Sequence, residues 1–557
     1  MSTVMNGAVP MPSGGGLLSK ERTIAGPGFN RWLVPPAALA IHLCIGMAYG
    51  FSVFWLPLSK ALGPTVAACP KDMSLIAEWF ASDCNWNVAT LGWMYTLFFV
   101  FLGMAAAIWG GWLEHVGPRK AGVVSAICWC GGMVLSAFGV QSHQMWMMIL
   151  GSGVIGGIGL GLGYISPVST LIKWFPDRRG MATGMAIMGF GGGAMIGSPL
   201  AALLMKNFST GTDPGVFATL LVMAAVYFVF MMGGAFGYRI PAAGWKPAGW
   251  TAPEAQAKDA MITRGHVHVK RIWGIPQFWL VWMVLCMNVS AGIGVIGMAS
   301  PMMQEIFGGS LIGVAKPIAE LDKAQLTAIA AIGAGFAALL SLFNIGGRFF
   351  WASLSDKLGR KTTYFVFLVL GALLYASLPS SAAAGAKLAF VGAVCVILSM
   401  YGGGFATVPA YLADLFGTQM VGAIHGRLLT AWSVAGILGP IVVNYMRDYQ
   451  LKTLHMPAAQ VYNTTMYVLV GFFAIGIICN ALIKPVDKKY FMSEAELAEE
   501  KRLAHERALA SEASLAGKGG QGGTSSPAVV ALAWLAVGLP LAWGVYKTLV
   551  NAAKFFN

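Results

Sequence analysis

The sequence predicts an all-α polytopic membrane protein: twelve helices in two related halves, plus one extra C-terminal transmembrane helix. Three observations carry that expectation. Hydrophobic residues make up 57% of the 557 residues and charged residues only 10%, with a mean hydropathy of +0.69; soluble domains carry about 25% charged residues. The apolar runs are continuous for roughly 20 residues, enough for a spanning helix, and do not alternate as barrel strands do. The longest polar interruption among the first twelve runs, 239–273, divides six from six.

Taken in order, residues 1–30 are polar and Gly-rich without an apolar core. They read as a flexible cytoplasmic tail and not as a cleaved signal peptide. The N-terminal half, 31–238, holds spans near 33–57, 88–112, 121–140, 145–172, 181–205 and 215–238. The cytoplasmic central loop 239–273 follows. The second half, 274–484, holds spans near 274–303, 325–352, 362–379, 387–412, 424–446 and 464–484. Residues 485–525 form a cytoplasmic linker in which 493–513 reads as an exposed amphipathic helix, and 526–557 contains a thirteenth span near 527–546.

The net charge of +14 is explained by topology. With the N-terminus in the cytoplasm, 25 of the 36 Lys and Arg fall on cytoplasmic segments and eight, Arg447 among them, in outer loops. This bias is the positive-inside rule; it indicates a multi-pass protein of the plasma (inner) membrane and removes the case for nucleic acid. The partners implied are the bilayer and a small solute. Six cysteines lie inside predicted spans as small apolar residues. Cys69 and Cys84 share the first outer loop, where an oxidising face permits a disulfide. No spacing suggests a metal site, and no cofactor is expected.

The halves repeat. "GGWLEHVGPRK" (110–120) after span 2 matches "WASLSDKLGRK" (351–361) after span 8, with Glu114 and Asp356 offset by 242. "GYISPVSTLIKWF" and "GFATVPAYLADLF" align at the same spacing, as do Pro199 and Pro440. Such a duplication implies a transporter whose substrate site lies between the halves near mid-membrane. An acidic residue, two further positions, Gly and a basic pair, found twice, resembles the loop signature of the major facilitator superfamily across roughly residues 30 to 485. The resemblance implies the major-facilitator fold, function as a monomer, and no enzymatic activity. Glu114, Arg119, Asp356 and Arg360 are then expected to act in a cytoplasmic gate, pairing with basic and acidic groups of neighbouring loops.

One residue breaks the symmetry. Arg348 stands eight residues inside an apolar helix, roughly 12 Å from Asp356 at about 1.5 Å per residue; the equivalent place in the first half is Ala106 or Ala107. An intramembrane charge costs at least about 2.5–3.5 kcal/mol. It is kept either by snorkelling to the interface or as a forked cation for a carboxylate. "NIGGRFFWASLSDKLGRK" (344–361), the 159–200 segment and "HGRLLTAWSVAGILGP" (425–440) resemble the oxalate/formate antiporter family and, more distantly, monocarboxylate transporters. The resemblance implies that Arg348 binds the carboxylate. Trp432 stands where the oxalate-exchanging prototype has lysine, and Asn344 where monocarboxylate transporters carry an acid.

Tyr49, Tyr164 and Tyr401 are further candidates for the cavity wall, and His42 for a proton relay or a packed histidine. The expectation is a secondary active transporter of formate-, oxalate- or lactate-like carboxylates working by antiport. Alternatives are a proton-coupled monocarboxylate symporter and, from another class, a membrane sensor. A drug or sugar facilitator is disfavoured by Arg348.

Overall fold

The structure is a computed structural model that describes residues 17–553, apart from 27, 64, 71, 178, 212, 243–244, 250–260, 264, 418, 501, 504–505 and 507–524. Among the described residues, thirteen helices are long and apolar enough to cross a membrane. We number them spans 1 to 13: Arg31–Leu58, Val88–Gly110, Pro118–Gln141, Met145–Leu171, Ile187–Phe208, Val216–Gly237, Pro276–Gly297, Lys323–Leu358, Arg360–Ala383, Lys387–Phe416, Val421–Lys452, Ala458–Leu482 and Pro527–Asn551. β-Structure among the described residues is limited to isolated bridges. We call the side on which span 1 begins the near face, and the other the far face.

Helix ends follow local chemistry. Span 8 starts at Lys323, ahead of its longest apolar stretch, because Asp322 and Gln325 form a capping box. It stops at Gly359, whose φ of +81° only glycine adopts without strain. Gly117 ends the helix of span 2 in the same way, at φ +84°. These are the glycines of the repeated loop signature, so the motif is a pair of equivalent helix stops.

Each half is a closed group of six. Span 1 packs on span 5, span 2 on span 4 and span 3 on span 6; in the second half, span 7 packs on span 11, span 8 on span 10 and span 9 on span 12. The halves meet along two long seams, span 5 against span 8 and span 2 against span 11. Glycines make the seams tight. A Cβ on Gly191 of span 5 would lie 2.6 Å from Asn344 Oδ1 and 2.9 Å from Arg348 Nε, so the small residue lets the backbone approach span 8.

On the near face, the central segment is tied to the second half. Thr263 N donates to Asp414 O and Val267 N to Phe416 O, while Met492 N donates to His266 O. The expected helix at 493–513 is helical at 494–500, 502–503 and 506; 501, 504–505 and 507–513 lie outside the described residues. On the far face, Cys69 and Cys84 form the expected disulfide. His143 stacks on Trp86 at 4.0 Å and its Nε2 lies 2.9 Å from Cys84 O, joining that loop to the turn between spans 3 and 4.

Two expectations need correction. Arg447 is not in an outer loop: span 11 continues to Lys452, and Arg447 is a buried part of that helix paired with Glu305. Nor does Asp356 pair with a neighbouring loop. It pairs with Arg360, one turn on, while Arg360 also reaches Asp414 at 3.6 Å in the same half. The i,i+4 spacing offers the shorter reach.

Candidate functional site

Arg348 sits on span 8 facing the span 5 seam, and its side chain is wholly buried. Snorkelling would have left the guanidinium at an interface. Instead, Nε donates to Asn344 Oδ1, one turn back, at 3.0 Å. Among the described residues, Nη1 and Nη2 have no acceptor and no carboxylate pairs with this arginine. Its carbon lies 5.8 Å from the centre of the Phe405 ring, within reach of that ring's negative face. The amide accepts without cancelling the charge. A forked pair of donors therefore remains for an acceptor the protein does not supply.

The sequence-predicted aromatics gather around it from both halves. Tyr49 (span 1) and Tyr401 (span 10) share a hydroxyl–hydroxyl hydrogen bond of 2.7 Å across the interface. Trp432 (span 11) packs on Phe405 at 4.3 Å, Tyr164 at 5.2 Å and Phe190 at 5.4 Å. Tyr164 Oη, Trp432 Nε1 and Asn344 Nδ2 are also buried without a partner among the described residues. Two of these three can only donate. The surroundings of Arg348 are thus rich in donors and poor in acceptors, which suits an anion.

His42 lies one layer back. It stacks on Tyr164 with ring centres 5.6 Å apart, and its Nε2 is 3.2 Å from Tyr164 O. The cavity next to the site, between Tyr49, Ala194, Ala299, Ser341 and Asn344, holds about 10 Å³, roughly one water. The site is therefore closed to both faces. A larger cavity of about 330 Å³ opens on the far face beside Glu78, Asn87 and Asp448 and shares no lining residue with it.

The gate candidates are less complete. Arg119 is buried on the near face and donates to Leu17 O at 3.1 Å. Arg360 and Asp356 form the pair described above. The Glu114 side chain lies outside the described residues.

Sequence reasoning missed several features. Phe405 stands one turn after Tyr401 on span 10, and Phe190 directly before Gly191; helical spacing from the named residues was the available signal. It also missed the buried group of Glu305, Arg447 and Tyr462, in which Arg447 Nε donates to Glu305 Oε2 at 2.8 Å and Tyr462 Oη donates to the same oxygen at 2.6 Å. Glu305 lies beyond span 7, on the short helix Ala299–Phe307, and Arg447 near the far end of span 11.

Twelve helices in two packed halves, with glycine stops repeated after spans 2 and 8, are matched by the family model for the Major Facilitator Superfamily over residues 40–440. The chain belongs to the Major Facilitator Superfamily. As such it is a membrane transporter of small organic solutes and not an enzyme. It is 25% identical over 414 residues to the oxalate:formate antiporter of Oxalobacter formigenes, covering 74% of this chain and 83% of that one. It is 22% identical over 511 residues to apicoplast pyruvate carrier 1 of Toxoplasma gondii, covering 81% and 88%. Human monocarboxylate transporter 11 matches at 27% over 242 residues, 43% of this chain and 45% of its own. Among solved structures, the D-xylose-proton symporter superposes with a TM-score of 0.55 at 15% identity, covering 81% of this chain and 96% of that one. That likeness concerns the fold alone. Span 13 lies beyond the segment the superfamily model matches.

Proposed function

We propose that this superfamily member is a secondary active transporter of small carboxylates, formate-, lactate- or oxalate-like, that exchanges them by alternating access around Arg348. The observation that carries the proposal is the buried guanidinium with two unpartnered N–H edges. A carboxylate has two oxygens at the matching spacing. Its relatives named for oxalate, formate and pyruvate are consistent with this. Asn344 positions the cation, and Tyr49, Tyr164, Tyr401 and Trp432 enclose the anion. Arg119, Asp356 and Arg360, with Glu114, belong to a near-face gate. The near face is the cytoplasmic one, because the cationic loops lie there, and the membrane is the plasma membrane.

One positive charge suits one negative charge. We infer that monocarboxylates are carried better than fully ionised oxalate, which would leave an excess charge in the site. A proton-coupled symporter is the second reading, favoured by His42 being buried against Tyr164.

The test is uptake of labelled formate, lactate and oxalate into proteoliposomes, with and without internal anion and a pH gradient. Arg348→Gln removes the charge while keeping most of the volume. Losing a partner from a buried charge pair costs about 2–5 kcal/mol, so uptake should fall by about thirtyfold or more, at tenfold per 1.36 kcal/mol, with normal insertion. Near-parental uptake by Arg348→Gln would refute the proposal.

A further inference from the structure

Span 13 does not stand apart in the bilayer. Just before it, Ser525 Oγ accepts from Asn30 N at 3.1 Å, and within it Trp534 Nε1 donates to Trp32 O at 3.0 Å. Val537 is buried among Leu39, Ala40 and Leu43 of span 1. Further along, the helix lies on span 5, where a Cβ on Gly544 would meet Ile196 Cγ1 at 2.9 Å. Toward its far end it also reaches the other half. Asn551 packs on Gly335 of span 8, and a Cβ there would come within 2.6 Å of Asn551 Cβ.

One helix thus leans across the seam that holds the arginine site. Two hydrogen bonds and apolar packing fasten it to the N-terminal half. It meets the other half along span 8, its most extensive contact with any single helix, and Asn551 on the glycine in the far part of that span belongs to this contact. Toward the near end, span 8 is uncovered: Phe343, Phe349 and Phe350 are 40%, 41% and 61% exposed. The opposite side of span 13, with Leu532, Leu535 and Leu539, is open to lipid.

We propose that span 13 is a built-in clamp on the far side of the span 5–span 8 seam: it moves with the N-terminal half and, through Asn551 on Gly335, biases the carrier toward states closed on the far face. Opening the far face draws spans 5 and 8 apart there. The contacts at Trp534 and Gly544 survive that motion because both partners belong to one half. The contact at Gly335 does not, so each opening must break it. This rests on the alternating-access reading above.

The experiment uses the full chain with Ala299→Cys as a reporter. Ala299 lines the small cavity between the halves and is 1% exposed. A membrane-impermeant maleimide is applied from the far face, and labelling of the parent chain without the reporter is subtracted. Asn551→Gly removes the contact without adding bulk, and Gly335→Leu wedges the helices apart. Both should raise the labelling rate by about fivefold, the effect of a typical single-residue destabilisation. Leu532→Ala, on the lipid side, should leave it unchanged. Parental labelling in Asn551→Gly overturns the clamp, whether or not Gly335→Leu labels faster, since the wedge alone could distort span 8. Faster labelling in Leu532→Ala overturns it too. Labelling needs no substrate, so a failure to carry carboxylates would be seen separately, in the uptake assay.

Discussion

Asn344→Asp is the most informative single change at the site. The two side chains are nearly the same size, so packing against Gly191 and Gly402 is preserved. What changes is charge. Asn344 Oδ1 now accepts from Arg348 Nε at 3.0 Å without neutralising it. A carboxylate in that place would hold the guanidinium at about 4 Å between charge centres, worth about 4 kcal/mol at an effective dielectric near 20. The substrate anion would then compete with a tethered one. At tenfold per 1.36 kcal/mol, the apparent affinity should fall by up to about a thousandfold; desolvation of the new carboxylate returns part of that. The assay is formate exchange in proteoliposomes at pH about 8, with the concentration dependence measured over at least three decades. The loss should persist at pH about 5, because the adjacent guanidinium holds the introduced carboxyl in its ionised form. Exchange within about twofold of the parent at both pH values would show that Arg348 does not meet the substrate as an unpaired cation, and the proposed site would fall.

Glu305→Gln should destabilise the protein by about 3–5 kcal/mol, because it leaves Arg447 buried without its main counter-charge; thermal unfolding in detergent reads this, and an unchanged midpoint would show that the pair holds little. Cys69→Ser opens a loop of sequence separation 15, for which the cost is about 3 kcal/mol, visible as a lower midpoint and as loss of the linked peptide in non-reducing mass spectrometry. His143 should make the far-face loop sensitive to acid. Burial holds it below its ordinary value of 6.5, outweighing the opposing pull of the Cys84 carbonyl and Asp83. Its neutral form therefore stabilises the loop fully above that value, and the contribution is lost as pH falls below it. The protection of the amides at residues 84–87 against hydrogen exchange, relative to the intrinsic rate at each pH, should fall between neutral pH and pH about 5, and less so in His143→Gln.

Much of this was legible in the sequence, for a physical reason. The bilayer demands long apolar helices, so composition alone places twelve spans and a thirteenth close to where they are found. Duplication then made the halves readable, since the same glycine stop must follow the same helix in each. Arg348 was legible because a buried cation is costly and has few uses. The residues around it were only half legible. Tyr49, Tyr164, Tyr401 and Trp432 could be named as large polar aromatics inside spans, whereas Phe405 and Phe190 look like any lipid-facing phenylalanine until the helices are packed. Glu305 and Arg447 were missed because each lies near the apparent end of an apolar run, where a charge reads as solvated. The partners lie 142 residues apart, and only the fold brings them together.

Under the proposed function, exchange rather than net flow follows from the same geometry. The empty site contains a guanidinium whose charge is balanced by an amide dipole, a ring face and hydroxyls, but by no anion among the described residues. Reorienting the halves in that state moves an uncompensated cation past a changing low-dielectric seam. A monocarboxylate makes the moving unit neutral and satisfies the two idle N–H edges, so the loaded carrier crosses more readily than the empty one. A dianion overshoots to a net negative charge and gives part of the gain back. The hydroxyl pair of Tyr49 and Tyr401, contributed by opposite halves, must part in every cycle. A bound carboxylate can take over one of those hydroxyl donors as it parts. The ligand thereby lowers the cost of the motion as well as the cost of the charge, and a carrier built this way returns only when it has something to bring back.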